Sequence, residues 1–327
     1  MIDEPHKSLA STFTDYFPLP AATEPHLRAA LDRVLSNPGS LVRPQIVAKM
    51  FAAYGLPAGH ATELGLALEY FHTASLLFDD LPCMDDAQHR RGAPCIHAEF
   101  GEAEAILAAL ALVNRAYGLT WKCVFGCGRG HETRALEYIE RYLGVGGLLN
   151  RQTMDIHYAT THTAISLHTA NSPRTNHTVT EAIAMGKTVS LIRLTLVLPG
   201  ILGDASPAEL QLLDRVAICW GLTYQIVDDL KDLLQSPEES GKTVSRDISM
   251  GRPNIALAIG IAGAVERLQR LINIGDRMLD RLVVLRPGVA FLQELRVQLD
   301  AEAAEIIDNA CESNAPASHP ISLQGAA

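Results

Sequence analysis

Helical periodicity runs through almost the whole chain and constrains its fold more than any other feature. Between residues 26 and 307, apolar residues recur at three- and four-residue spacing, which is the repeat of an amphipathic helix. Alternating β-branched runs closed by Asn-Gly or Asp-Gly turns are nearly absent. Some predicted helices, such as the one over residues 104–116, are apolar on most faces, as is typical inside a bundle. We therefore predict an all-α helical bundle.

No change of composition marks a domain boundary, so we predict one all-α domain over residues 23–312. The flanking segments, 1–22 and 313–327, are polar and rich in Ala, Pro and Ser, and we expect them to be frayed. A His-rich stretch at residues 157–177 is interpreted as a solvated loop rather than a metal site. The pattern Cys123-x-x-x-Cys127-x-x-x-His131 offers only three ligands and is interpreted as part of a Gly-rich loop.

Composition excludes several classes of protein. The chain has 37 acidic and 27 basic residues and a net charge of −10, so it lacks the basic face that nucleic-acid binding requires. Its longest apolar run, residues 105–113, is far short of the roughly 20 residues that span a bilayer. The six cysteines are scattered, which suits a reducing compartment. These features predict a cytoplasmic protein without an integral membrane segment.

Two acidic clusters lie in otherwise apolar helical sequence, at Asp79-Asp80-Leu81-Pro82-Cys83-Met84-Asp85-Asp86 and at Asp228-Asp229-Leu230-Lys231-Asp232. Ionised carboxylates are costly to bury unless they are paired or bind a metal. Asp228 and Asp232 are four residues apart and share a helix face. Asp79 and Asp85 are six apart, and Pro82 breaks the helix so that both can face one point. Mg²⁺ takes such oxygen ligands, although aspartates at helix ends also act as caps or face solvent.

Basic residues follow each cluster, which favours a diphosphate-binding site over isolated surface charges. They are found in His89-Arg90-Arg91-Gly92, in Gly186-Lys187-Thr188, and in Ser240-Gly241-Lys242-Thr243 with Asp247 and Arg252 further along. A metal ion and cations together neutralise the charge of a diphosphate.

With these motifs, the chain resembles the trans-isoprenyl diphosphate synthases of the farnesyl and geranylgeranyl branch. The stretch from Phe71 to Phe78 that leads into the first cluster, followed by Arg90-Arg91-Gly92, His97 and residues 100–103, is similar to the first aspartate-rich motif with two extra residues. Tyr224-Gln225-Ile226-Val227 followed by Asp228-Asp229-x-x-Asp232 is similar to the second motif. The resemblance covers nearly the whole chain.

The resemblance implies a helical bundle around a deep central cavity, usually in a homodimer. It implies that three Mg²⁺ ions bridge the two motifs to an allylic diphosphate, which ionises to a carbocation. Isopentenyl diphosphate attacks that cation, and loss of a proton leaves a chain five carbons longer. Cations stabilise the departing diphosphate, and an apolar cavity keeps water away from the carbocation.

The resemblance also assigns site residues one by one. The implied metal ligands are Asp79, Asp85, Asp228 and Asp232. The catalytic group comprises the first three of these aspartates with Lys187 and Arg90. The residues matched to the allylic diphosphate are Arg90, Lys187, Thr188, Gln225, Lys242 and Arg252, where Arg252 replaces a usual Lys. The residues matched to isopentenyl diphosphate are Arg43, His72 and Arg91, and Gln152 and Asp155 match a pair that faces the cavity.

Several positions depart from the family pattern. Ser40 replaces the Lys that would bind isopentenyl diphosphate, Ala109-Leu110 replaces a usual Gly-Asp, Arg151 replaces a small residue, and Lys231 replaces an apolar one. A terpene cyclase, which ionises a prenyl diphosphate without isopentenyl diphosphate, is therefore an alternative. A non-catalytic subunit of a heteromeric synthase is less favoured, because both aspartate motifs are intact. Since Arg43, His72 and Arg91 remain, a prenyltransferase is the favoured function.

The predicted product length depends on the residues just before the first cluster. Ala74 and Ser75 are small, and Phe71 lies one turn below them in the predicted helix. In the family, an aromatic residue at the position of Ala74 tends to stop the chain at fifteen carbons. Its absence predicts a twenty-carbon product, geranylgeranyl diphosphate. The alternative is that Ala74 only packs between helices and that Phe71 or Leu68 limits the length of the product.

Overall fold

The computed structural model describes residues 4–159, 173–234 and 251–313 and confirms the predicted all-α fold. The helices are α1 (Glu4–Asp15), α2 (Pro25–Leu35), α3 (Val42–Ala53), α4 (Ala58–Asp79), α5 (Ile96–Phe100), α6 (Glu102–Cys127), α7 (Glu132–Leu143), α8 (Asn150–Ile156), α9 (Pro173–Lys187), α10 (Val189–Leu202), α11 (Pro207–Leu234), α12 (Ile255–Ile259), α13 (Ile261–Leu285) and α14 (Phe291–Ser313). A π-helical turn at Val145–Leu149 precedes α8, and a 3₁₀ turn at Pro287–Val289 follows α13.

Local signals set the ends of several helices. Glu24 precedes α2, and its carboxylate accepts hydrogen bonds from the backbone N–H groups of His26 and Leu27, at 2.8 and 3.1 Å. Pro25 occupies the first helical position, where a missing N–H costs nothing. Asn254 caps α12 in the same way. The starts of α2 and α12 thus have a physical basis in satisfied backbone donors.

Two apolar clusters form the core. The larger one joins α3, α4, α6, α10 and the first half of α11. The smaller one lies around the second half of α11, with α12, α13 and α14 packed against it. The first aspartate cluster follows the end of α4, and the second lies in the part of α11 that belongs to the smaller cluster. The site is therefore built where the two apolar clusters meet.

The N-terminal segment differs from the frayed end that we predicted. Residues 4–15 form α1, and the side chain of Phe13 is fully buried. The Phe13 ring lies 4.7 Å from that of Tyr70, whose hydroxyl donates to the Phe13 carbonyl, and Phe17 also contacts Tyr70. Two aromatic side chains in a polar segment are enough to anchor it, because their burial outweighs fraying. Of the other flanking segment, 313–327, Ser313 ends α14 and residues 314–327 lie outside the described part.

Other local predictions also need correction. The first aspartate cluster is not embedded in a helix, because α4 ends at Asp79 and a turn follows. The helix over residues 104–116 is not enclosed, since Leu107 and Leu110 on α6 are exposed. The His-rich stretch is helical from Pro173 onward, while residues 160–172 of it lie outside the described part.

The Cys-x-x-x-Cys pattern lies in the last turns of α6 rather than in a loop. His131 instead faces Asp204, at 3.4 Å between Nε2 and Oδ1. Within residues 4–159, 173–234 and 251–313, no group of three or more His, Cys, Asp or Glu side chains is arranged so that it could hold a metal ion.

Across the described ranges, no single helix is both long and apolar enough to cross a membrane. The segments His177–Lys187 and Val189–Leu202 meet that criterion only together, and they are bent by 50° at the break between them.

Candidate active site

The first aspartate cluster is folded into a tight turn at the end of α4. The backbone N–H of Asp85 donates to the carbonyl of Asp79 at 2.9 Å, and that of Ala87 donates to the carbonyl of Asp80 at 3.1 Å. These bonds close the chain on itself after Pro82. The turn brings Asp79 and Asp85 together, as the interruption by Pro82 predicted.

Polar side chains from three other segments converge on this turn. The amide of Gln152 on α8 donates to Asp79 Oδ1 at 2.7 Å. The ammonium of Lys187, at the end of α9, donates to Asp155 Oδ2 at 2.8 Å. Arg252 donates from Nη2 to Asp85 Oδ1 at 2.8 Å. The Gln152 and Asp155 pair thus lies beside the first cluster.

The second cluster lies in the last turns of α11. Both carboxylate oxygens of Asp229 are engaged, by the amide of Gln225 at 2.8 Å and by the backbone N–H of Ile255 at 2.7 Å. Asp228 is half-buried and Asp232 is buried. The Oδ2 atom of Asp232 has no hydrogen-bond partner in the described part of the chain.

Two short segments connect the clusters. Lys187 bonds Asp155 beside the first cluster, and the adjacent Thr188 donates to Gln225 beside the second, at 2.6 Å. Arg252 bonds Asp85, and the amide of Asn254 donates to the Asp229 carbonyl at 3.1 Å. Since neighbouring residues reach the two clusters, both clusters lie at one site.

The electrostatics of this site reflect buried charges of both signs. Burial raises the pKa of Asp79 to about 6, although Lys187 opposes that rise. Burial pulls the pKa of Lys187 down, but Asp79, Asp155 and Asp85 outweigh it and raise that pKa above its ordinary value. Lys187 is therefore cationic at neutral pH. Two buried nitrogens of Arg252, Nε and Nη1, have no hydrogen-bond partner among the described residues.

A two-stranded hairpin positions two consecutive arginines, Arg90 and Arg91. The strands β1 (His89–Arg90) and β2 (Ala93–Pro94) pair antiparallel, and Arg91 and Gly92 form the turn with φ values of 54° and 73°. Arg90 donates from Nε to both carboxylate oxygens of Asp80, at 2.8 and 2.9 Å. Arg91 donates from Nη1 to the carbonyl of Asn37 at 3.0 Å.

The loop before α3 accommodates Arg91 only because position 39 is a glycine. A Cβ atom at Gly39 would lie 2.5 Å from Arg91 Cζ, and its φ of 79° is strained for other residues. Nearby, Arg43 on α3 lies 3.3 Å from Glu69 on α4, between Nη1 and Oε2. The structure thus places Arg91 and Arg43 beside the loop that carries Ser40.

His72 lies among these arginines. Burial, followed by the charges of Arg43, Arg91 and Arg90, holds the pKa of His72 well below its ordinary value. His72 is therefore neutral, so that one ring nitrogen donates and the other accepts. The three residues matched to isopentenyl diphosphate are brought together.

The residues predicted to form the wall that limits product length, Ala74, Ser75 and Phe71, lie along α4 below the first cluster. Ala74 and Phe71 are buried and Ser75 is half-buried. The Phe71 ring meets the edge of Tyr117 on α6, with centroids 4.9 Å apart. Tyr117 is a neighbour of this wall that our sequence reasoning missed.

Lys242 is the one predicted site residue that lies outside the described ranges. Besides Tyr117, the sequence reasoning missed Asp80 as the partner of Arg90, Asp229 as the anchor of α12, and Glu69 as the partner of Arg43. The signal for Glu69 was present, because it is a charged residue in an otherwise apolar helical segment.

The positions that depart from the family pattern have distinct environments. Ser40 is exposed, Ala109 is buried, and Leu110 is exposed on α6. Arg151 packs its aliphatic stem over Gly186, where a Cβ atom would overlap with that stem. The large residue at 151 therefore requires the small one at 186.

Comparison with known proteins agrees with this geometry. A family model described as polyprenyl synthetase matches residues 24–280. The chain is 33% identical over 244 residues to a chloroplastic geranylgeranyl pyrophosphate synthase of Capsicum annuum, which covers 74% of this chain and 63% of that protein. It is 32% identical over 234 residues to geranylgeranyl pyrophosphate synthase 9 of Arabidopsis thaliana, also chloroplastic, with 71% and 62% covered. The chain thus spans less than two thirds of the length of these curated relatives.

A solved structure has the same fold. It is a geranyltransferase from Helicobacter pylori complexed with magnesium and isoprenyl diphosphate, with a TM-score of 0.73 at 23% identity, covering 92% of this chain and 95% of that one. Because the family model matches well over half of the chain, this protein belongs to the polyprenyl synthetase family, the trans-isoprenyl diphosphate synthases that its aspartate motifs resemble.

Proposed function

We propose that this protein is a Mg²⁺-dependent prenyltransferase that condenses an allylic diphosphate with isopentenyl diphosphate. One observation carries the proposal. Within the described ranges, the site combines a buried carboxylate oxygen of Asp232 that accepts no hydrogen bond with two buried guanidinium nitrogens of Arg252 that donate none. Unsatisfied buried acceptors and donors at one site are costly. A metal ion bound to a diphosphate would satisfy both kinds of group.

The residues fit Mg²⁺ as the cofactor. Asp79, Asp85, Asp228 and Asp232 would hold it. Mg²⁺ is commonly bound by one or two carboxylates with substrate phosphates completing its shell, so a closed set of protein ligands is not required. When bound, the ions, three by family resemblance, would neutralise charge on the departing diphosphate.

The chain's own cations would hold that diphosphate in place. Lys187, Arg90 and Arg252 carry the charges, and Thr188 and Gln225 contribute polar atoms, with Lys242 assigned by resemblance alone. The allylic carbon–oxygen bond breaks, and its electron pair leaves with the diphosphate. The double bond of isopentenyl diphosphate then forms the new carbon–carbon bond, and a proton passes to the released diphosphate.

Arg43, Arg91 and the neutral His72 would bind the diphosphate of isopentenyl diphosphate. Ser40 is exposed near this position and removes one cation, so the site keeps two arginines. A lost charge-assisted hydrogen bond weakens binding by roughly ten- to a hundredfold. We infer that the affinity for isopentenyl diphosphate is reduced rather than abolished.

We propose geranylgeranyl diphosphate as the main product. Small side chains at Ala74 and Ser75 leave room below the first cluster for a chain longer than fifteen carbons. The curated relatives named above are geranylgeranyl pyrophosphate synthases, which supports the same product length.

One incubation tests the reaction. Purified protein, Mg²⁺ and geranyl or farnesyl diphosphate are incubated with and without isopentenyl diphosphate, and products are identified by mass spectrometry. We expect a C20 diphosphate only when isopentenyl diphosphate is present. A cyclic hydrocarbon formed without it would instead indicate a terpene cyclase, and no turnover of either substrate would contradict catalysis.

Variants of the two aspartate clusters test the assigned metal ligands in the same assay. Asp79→Ala or Asp228→Ala should lower turnover by roughly three or more orders of magnitude, because each removes electrostatic stabilisation of the leaving group. Asp86→Asn is the matched control, since Asp86 has a φ of 49°, which Asn tolerates, and its carboxylate accepts a hydrogen bond from the neighbouring Gln88 at 3.2 Å. A tenth of the wild-type rate in Asp79→Ala would contradict the assignment of that residue.

We further propose a homodimer formed through α6. Its exposed apolar side chains, Leu107, Leu110, Tyr117, Trp121 and Phe125, recur at helical spacing along one face. Leu110 stands where the family usually has Asp, which extends this apolar stripe. A continuous exposed stripe of large apolar residues is typical of an interface.

A cytoplasmic location also stays a proposal. It is supported by four cysteines that form no disulfide bond within the described part of the chain, Cys83, Cys123, Cys127 and Cys219. The curated relatives reported above are named as chloroplastic.

A further inference from the structure

Glu69 is a buried acid in the apolar interior of α4. Its side chain is 1% exposed, and its neighbours Leu68 and Tyr70 are buried as well. A buried carboxylate is retained only when a partner compensates its desolvation. That partner is Arg43, whose Nη1 lies 3.3 Å from Glu69 Oε2.

Three arginines act on His72, which lies three residues after Glu69 on α4. Arg43, Arg90 and Arg91 are close enough to His72 that all three lower its pKa, after burial. Arg90 already has its own carboxylate partner, Asp80. Arg91 is held by the carbonyl of Asn37, and burial lowers its pKa while Glu69 opposes that shift.

Glu69 is thus the negative charge that Arg43 and Arg91 share. Besides burial, the charge of Arg43 already lowers the pKa of Arg91. Without Glu69, this repulsion would be less compensated in a site that is partly shielded from water, where like charges repel more strongly than in solvent. Arginine side chains also have considerable rotamer freedom. Because Glu69 already restricts the side chain of Arg43, less rotamer entropy is lost when an anion binds.

We propose that Glu69 is a positioning residue that holds Arg43 ready for the diphosphate of isopentenyl diphosphate, without contacting the substrate itself. The proposal rests on the proposed function, because it concerns the second substrate site. It predicts that the loss of Glu69 weakens binding even though the site becomes more positive. If Glu69 acted only as a counter-charge, its loss would strengthen binding instead.

The test compares steady-state kinetics of the wild type and Glu69→Gln at saturating Mg²⁺. Gln keeps the shape of the side chain but removes its charge. We expect the KM for isopentenyl diphosphate to rise roughly tenfold. The KM for the allylic diphosphate and kcat should stay within about twofold, because the other site keeps all its ligands. Glu69→Asp, which keeps the charge, should recover part of the lost affinity.

Glu209→Gln is the matched control for a purely structural effect. Glu209 is also a buried acid paired with an arginine, Arg286, at 2.7 Å between Oε1 and Nε. It belongs to neither proposed substrate site. We expect this variant to lose stability without a change in the KM for isopentenyl diphosphate.

Two results would overturn the role of Glu69. One is an unchanged KM for isopentenyl diphosphate in Glu69→Gln with a lowered melting temperature, and the other is a KM below that of the wild type. Failure of the proposed function is a separate result, because then the wild type itself would not consume isopentenyl diphosphate. In that case, calorimetric titration of both proteins with inorganic diphosphate decides whether Glu69 positions Arg43, and equal affinities would reject it.

Discussion

Neighbouring aspartates in each cluster serve different purposes. Asp80 is tied to Arg90, and Asp229 accepts from Gln225 and from the backbone of Ile255. These two aspartates hold the architecture of the site together. Their neighbours Asp79 and Asp228 are the ones that we assign to metal binding. The distinction depends on which way each side chain points from its helix, and adjacent residues on a helix point about 100° apart.

Residue size below the first cluster sets the predicted product length. Ala74 is almost completely buried, one turn above Phe71, whose ring contacts Tyr117. An aromatic ring at position 74 would occupy the path of a growing chain before it reaches Phe71. The wall is therefore formed by side-chain volume rather than by charge.

We predict that Ala74→Phe shifts the main product from C20 to C15, as measured by mass spectrometry of dephosphorylated products. Ala74→Ser changes the volume little and should leave the product distribution unchanged. If the wild type already stops at C15, or if Ala74→Phe still gives C20, Ala74 does not form the wall.

Contacts between helices depend on matched residue sizes. The stem of Arg151 on α8 lies directly over Gly186 on α9, and a Cβ atom at 186 would come within 2.7 Å of Arg151 Cβ. Gln152 and Lys187, the next residue along each helix, both belong to the proposed active site. The close approach of α8 and α9 therefore sets the spacing of the two active-site side chains.

We predict that Gly186→Ala destabilises the protein by about 1–3 kcal/mol, as expected for overpacking, in urea denaturation. Arg151→Ala should remove the clash, so that the double variant is more stable than the sum of the two single changes predicts. Gly59→Ala is the control, because a Cβ atom at Gly59 meets no atom within 4 Å. If Gly186→Ala lowered the free energy of unfolding equally in the wild type and in the Arg151→Ala variant, the two residues would not interact.

Only the complete molecule shows which apolar side chains remain exposed. Trp121 on α6 is 57% exposed although the same helix buries Leu112 and Leu119 against the core. Its ring packs edge-on against Phe125, with centroids 6.0 Å apart. One face of α6 packs against the core, and the opposite apolar face is the proposed dimer surface.

We predict that the wild type is a dimer and that Trp121→Glu converts it to a monomer at micromolar concentration, because the substitution places a charge in an apolar interface. Analytical ultracentrifugation measures the change. Gln269→Glu, on the exposed side of α13, adds the same charge elsewhere and should stay dimeric. A wild-type monomer, or a dimeric Trp121→Glu, would contradict the α6 surface.

The sequence alone determined the all-α fold and the identity of the two aspartate motifs, because helix period and motif spacing are local properties of the chain. Only the tertiary structure decided that Arg252 meets Asp85, that Glu69 pairs with Arg43, and that Phe13 anchors the first helix. These pairs are separated by tens to more than a hundred residues. Their contacts depend on how whole helices pack, since the free energy that selects one partner over another comes from burial and charge in the folded core.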